Sequence, residues 1–167
     1  MMFTTIQAFV DEWSSVSACT QRVLDALTDA SLDQGSESNI RPLGQIGWHI
    51  TTTIHEMVSR TGLVFAAPEG GEKAPASAVQ IANAYRLVSQ ALLEAIQQQW
   101  TDANLADISD MYGEPWSNGL TLRAVIAHEI HHRGQMSVLM RQAGLRVPSI
   151  YGPTREDWIE QGLQPAL

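Results

Sequence analysis

Residues 127–141 read AHEIHHRGQMSVLMR and carry three of the chain's five histidines on what the apolar spacing predicts to be a single helix. At a 3.6-residue period the apolar stripe runs Leu122, Val125, Ile126, then Glu129, then Met136, Leu139 and Met140. His132 falls near the centre of this stripe and His128 close to its edge. Residues four apart project from one face a turn apart, so both imidazoles turn inward and can offer a ring nitrogen to one point. That is a metal-chelating spacing. His131 is displaced by about 100° from His132 around the helix axis and is the weaker candidate.

Catalytic sites of the zinc type use three protein ligands and keep a further position open, so a third ligand must come from elsewhere. The second helical segment, Leu43 to Arg60, reads LGQIGWHITTTIHEMVSR, with its stripe at Leu43, Ile46, Ile50, Ile54 and Met57. His49 lies beside that stripe, with Thr53 and Glu56 following on its own face. His55, six residues on, points about 120° away. The expected ligand set is therefore His49, His128 and His132.

The pair Trp48-His49 in the second helix, together with His128-x-x-x-His132-Arg133-Gly134-Gln135 in a late helix, resembles the DinB/YfiT-like superfamily of bacterial four-helix proteins. The likeness covers nearly the whole chain. It implies a divalent metal on His49, His128 and His132 and a dimeric bundle. It also implies membership of a group that includes thiol-dependent S-transferases and isomerases using low-molecular-weight thiols.

At 167 residues the chain is expected to form one domain, residues 1–167, large enough to bury a core without disulfides. No run of about 18 apolar residues exists, and the N-terminal MMFTTIQAFVDEW lacks the basic start of a secretory signal, so a cytoplasmic protein without membrane contact is expected. Eighteen acidic residues against ten basic ones give a formal charge of −8, with a single lysine, Lys73. Nucleic acid is thereby an unfavourable partner, because duplex binding needs clustered Lys and Arg. Cys19 has no partner for a disulfide and reads as a small buried hydrophobe.

The first helix is expected from about Thr5 to Leu27, with Thr4-x-x-Gln7 as a capping box and Phe9, Trp13, Val16, Val23 and Leu27 facing the core. Residues 33–39, DQGSESN, end it, and Pro42 suits the first turn of the second helix. AAPEGGEKAP, residues 66–75, reads as a loop. Ser77-x-x-Gln80 opens a third helix to about Trp100, with Ile81, Tyr85, Val88, Leu92 and Ile96 on its stripe. Residues 101–119 break the helical period and form a long connection, a length often tied to function. Tyr112 and Trp116 within it are candidates to line a substrate pocket, or else to plug one end of the core. The fourth helix is expected from about Thr121 to Ala143 with Gly144 as its stop, and a short terminal helix from Thr154 to Gln161. Gly134 costs roughly 1 kcal/mol relative to alanine, which predicts a neighbouring helix or a ligand close by.

These elements give an all-α four-helix bundle with the metal at one end, a long connection between helices three and four, and a short C-terminal helix. Three neutral imidazoles around a divalent ion leave its charge uncompensated and a position open, which supports hydrolysis and thiol transfer equally. The resemblance favours thiol transfer, with a small-molecule thiol and an electrophile as partners. Imidazole ligands suit several ions, zinc or nickel being the first expected. Glu56 and Glu129 are the candidate bases, or alternatively hydrogen-bond partners of ligand imidazoles. Arg133 is a candidate anion site, or alternatively the partner of an acid. A binding protein without turnover and a metal-dependent hydrolase are the alternatives to the transferase.

Overall fold

A computed structural model describes residues 2–37 and 39–165. Four long helices, α1 (Ile6–Asp25), α2 (Leu43–Ser59), α3 (Ala78–Gln99) and α4 (Asn118–Gln142), are followed by a short α5 (Arg155–Glu160). The expected stripes are the ones buried: Phe9, Trp13, Val16 and Val23 on α1, Leu43, Ile46, Ile50, Ile54 and Met57 on α2, and Ile81, Tyr85, Val88, Leu92 and Ile96 on α3 form one core with the apolar residues of α4. α1 packs against α3 and α4, and α2 packs against the same two helices. The order around the bundle is therefore α1, α3, α2, α4, so the links from α1 to α2 and from α3 to α4 each cross a diagonal. Long connections at those two places are a requirement of this topology.

The connection before α4 is not a bare loop. A 3-10 turn, Asp102–Ala106, leads into an antiparallel hairpin of β1 (Ile108–Met111) and β2 (Glu114–Ser117), paired from Ile108 with Ser117 to Met111 with Glu114. Tyr112 (φ 59°) and Gly113 (φ 89°) make the two-residue turn. Positive φ at both positions is what a type I′ turn needs to match the twist of its strands.

The helix ends differ in detail from expectation. Thr5, not Thr4, caps α1, accepting from the Ala8 amide at 3.3 Å. Ser77 is at the N-cap of α3 but its hydroxyl makes no capping bond; the Ala78 amide donates instead to Asp29 Oδ1 at 2.7 Å, which ties α3 to the link after α1. α4 begins three residues earlier than expected, because the Ser117 hydroxyl accepts from the Leu120 amide. Gly144 (φ 74°) ends it as expected, with the Leu145 amide returning to the Met140 carbonyl. Thr154 caps α5 by exchanging hydrogen bonds with Asp157.

Gly119 fixes the start of α4 against the N-terminal segment: a Cβ there would lie 2.2 Å from the Phe3 carbonyl oxygen. Gly134 shows the opposite. Among the described residues nothing lies within 4 Å of where its Cβ would be, so of the neighbouring helix or ligand expected there, no helix approaches. Val79 and Leu87, two turns apart on α3, remain exposed. No helix among the described residues is long and apolar enough to cross a membrane.

Candidate metal centre

α2 and α4 run antiparallel, since Tyr112, just ahead of α4, bonds to Glu56 near the end of α2. This brings His49, in the second turn of α2, opposite His128 and His132 near the middle of α4. The site thus lies between α2 and α4. His49 Nε2 and His132 Nε2 each lie 3.1 Å from His128 Nε2, and the three ligand atoms are all within 4.8 Å of one another. Two nitrogens about 2.1 Å from one tetrahedral ion are about 3.4 Å apart, so the cluster has the dimensions of a ligand set.

The other ring nitrogens decide which way the lone pairs face. His132 Nδ1 is 2.7 Å from Gln135 Oε1, a pure acceptor, so the proton belongs on Nδ1 and the Nε2 lone pair faces the cluster. His49 Nδ1 is 3.4 Å from Thr53 Oγ1, whose own proton goes to the His49 carbonyl at 2.6 Å. Thr53 is left to accept, and His49 Nε2 is likewise directed inward as a lone pair. His128 Nε2 can offer a proton to one of these neighbours but not well to both. A cation at the centre satisfies all three, and these residues fit a divalent ion.

Burial first, then the charges of Arg41 and His132, lowers the His49 pKa from 6.5 to about 4. Burial, then His132, His49, His131 and Arg41, does the same for His128, also to about 4. His132 is lowered chiefly by burial, opposed by its bond to Gln135. The imidazoles are therefore neutral at pH 7, the form that ligates metals. Beside them lies a cleft of about 420 Å³ with His132 and Gln135 in its wall.

The remaining candidates lie elsewhere. Glu56 is exposed, bonded to Arg60 Nε at 2.8 Å and accepting from the Tyr112 hydroxyl at 2.7 Å; its charge acts on His49 only through space. Burial and the Glu56 carboxylate push the Tyr112 phenol up to about 12. Trp116 packs against the core edge and donates to Glu114. Neither aromatic lines the cleft beside His132. Glu129 turns into the core, accepting on Oε1 from Thr20 and from Tyr85, each at 2.6 Å. Burial raises its pKa, while its Oε2 finds no partner among the described residues. Arg133, 1% exposed, donates to the Val16 carbonyl and Thr20 Oγ1 at 2.9 Å and to Tyr151 Oη. Thr20 stands between Arg133 and Glu129, so the arginine has no direct carboxylate partner within 4 Å among the described residues. His55 packs on Phe65, and His131 is exposed beside His132.

Sequence reasoning gave no role to Gln135 or Arg41. Gln135 was findable, since it stands three residues from His132 on the same helical face. Arg41 was not, because it precedes α2 and no helical period places it.

Comparison with known proteins agrees with this architecture. The chain is 44% identical over 163 residues to an uncharacterized protein, YrdA, of Bacillus subtilis, covering 98% of each. The crystal structure of a DinB-like protein from Bacillus cereus superposes with a TM-score of 0.84 at 46% identity, covering 90% of this chain and all of the other. A second DinB-like protein, YjoA of Bacillus subtilis, matches with a TM-score of 0.68 at 17% identity over 86% of this chain and 97% of its own, a likeness of fold. The DinB family model matches residues 2–163, and with that coverage the chain belongs to the DinB family.

Proposed function

We propose that this protein is a metal-dependent enzyme that transfers a thiol sulfur to an electrophilic small molecule. The observation that carries the metal reading is the convergence of three Nε2 atoms, two of them with lone pairs turned inward by bonds at Nδ1. A divalent ion in such a site lowers the pKa of a thiol or water bound to it and so supplies thiolate or hydroxide at neutral pH. Gln135 and Thr53 hold the imidazoles in the ligating tautomer and orientation, the role that partners of metal-bound histidines commonly play. The cleft at His132 gives a second molecule access to the site from one side. The resemblance of the Trp48-His49 and HHRGQ patterns to a superfamily containing thiol-dependent S-transferases favours thiol transfer over hydrolysis.

The overall change is balanced with a thiol and an aryl chloride. A carbon–sulfur bond forms, the carbon–chlorine bond breaks, chloride leaves and the thiol proton passes to solvent. The test is zinc- or nickel-loaded protein with 1-chloro-2,4-dinitrobenzene and cysteine, glutathione or coenzyme A, following the thioether by absorbance. The expected result is catalysed turnover with at least one thiol, lost in His128→Ala. Absence of turnover with every thiol overturns the transferase reading. Metal-dependent hydrolysis of p-nitrophenyl acetate in its place would establish the hydrolase.

A further inference from the structure

The cleft beside the histidines has a composition that the metal chemistry does not require. Its body is apolar, formed by Ile40 ahead of α2, Ile46 in the first turn of α2, and Val138 and Leu139 on α4. His132 and Gln135 are part of its wall, so a molecule in the cleft touches one member of the cluster. No acid lines it, and its one charged wall residue is Arg41. About 420 Å³ lies in the range of small-molecule sites and holds a compact ligand, not a polymer.

Arg41 is exposed and makes no hydrogen bond or ion pair among the described residues. Lys73 and Arg155 are likewise without a hydrogen bond or ion pair among the described residues, but of these three cations only Arg41 lines the cleft. Arg60, Arg86, Arg123, Arg141 and Arg146 all have acidic partners. The positive field of Arg41 also reaches each of the three imidazoles, which places it within electrostatic range of the cluster. An acidic protein repels small anions at a distance, and a neutral apolar ligand gains nothing from a guanidinium. A planar cation with five N–H donors in the wall of an apolar cleft suits a carboxylate.

We propose that this cleft binds a small molecule with an apolar body and one carboxylate, that Arg41 holds the carboxylate, and that the opposite end of the molecule lies against His132. The proposal rests on the metal reading only for which end reacts; binding itself does not depend on it.

The test compares hexanoate with hexanamide, which share shape and differ in charge, titrated into isotope-labelled protein by NMR in metal-free and zinc-loaded forms. Wild type is expected to bind hexanoate about tenfold or more tightly than hexanamide in both forms, with shifts at Val138 and Leu139. Arg41→Gln is expected to remove that preference and leave hexanamide affinity and zinc content unchanged. Val138→Trp, at an exposed helical position, is expected to weaken both probes by occupying the cleft. Equal affinities on wild type, or a hexanoate preference that survives Arg41→Gln, overturn the proposal. A preference found only with zinc present also overturns it, since the carboxylate would then be held by the metal. Protein that takes up no zinc yet keeps an Arg41-dependent preference overturns the metal reading and leaves the cleft assigned.

Discussion

Single hydrogen bonds at Nδ1 control what the histidine cluster can do. Gln135 Oε1, 2.7 Å from His132 Nδ1, fixes the tautomer with the ligating nitrogen turned inward. Gln135→Leu is expected to weaken metal binding by about 10- to 100-fold while leaving the fold intact, measured by competition with a chromophoric chelator. The lowered imidazole pKa values give a second expectation. In the unfolded chain His49 takes up its proton near 6.5, whereas in the folded protein it resists until about 4. Stability from this residue is therefore complete above pH 6.5 and declines as the pH falls from 6.5 towards 4. Melting temperatures of chelator-treated wild type should drop over that window relative to a His49→Gln variant, which lacks the group. A constant difference between the two would contradict the assignment. The convergence of His49, His128 and His132 was legible in the sequence because helical period sets the face of each and the resemblance joins the three. Arg41 was invisible because it lies ahead of α2, where no periodicity applies.

α4 presents two working faces, and their separation explains why its charged residues were harder to place than its histidines. His128, His132 and Gln135 face the groove with α2, while Glu129 and Arg133 turn to α1, α3 and Tyr151. The apolar stripe correctly marked Glu129 as inward, but inward on α4 includes both directions, and only the packing order of the bundle distinguishes them. The short hairpin before α4 escaped detection for a different reason. Its strands are four residues each, Pro115 lies within one of them, and the turn places a tyrosine at positive φ in place of the usual Asn-Gly signal. Gly134 offers a test at this scale. With open space around it and helical neighbours on both sides, Gly134→Ala should stabilise the protein by about 1 kcal/mol, seen as a rise in denaturation midpoint at unchanged slope. A loss of stability would mean that something packs against that face after all.

Across the whole molecule, the diagonal links place α2 beside α4 although 58 residues separate the end of one from the start of the other, Ser59 to Asn118 closing as helix neighbours. A metal on His49, His128 and His132 would cross-link these two helices and bind the folded state alone, so it should raise the melting temperature with the logarithm of its excess over the dissociation constant. The four helices, their core stripes and the inward faces of the histidines followed from the sequence, because each depends on local period. The crossing order, the hairpin and the cleft depend on contacts between distant segments and emerged only with the fold. The most direct test of the central claim is elemental analysis of protein purified without a histidine tag, alongside His132→Ala. The account predicts close to one divalent ion per chain in the wild type and little or none in the variant. Wild-type protein that holds no metal even after reconstitution, or a variant that retains as much as the wild type, would contradict it.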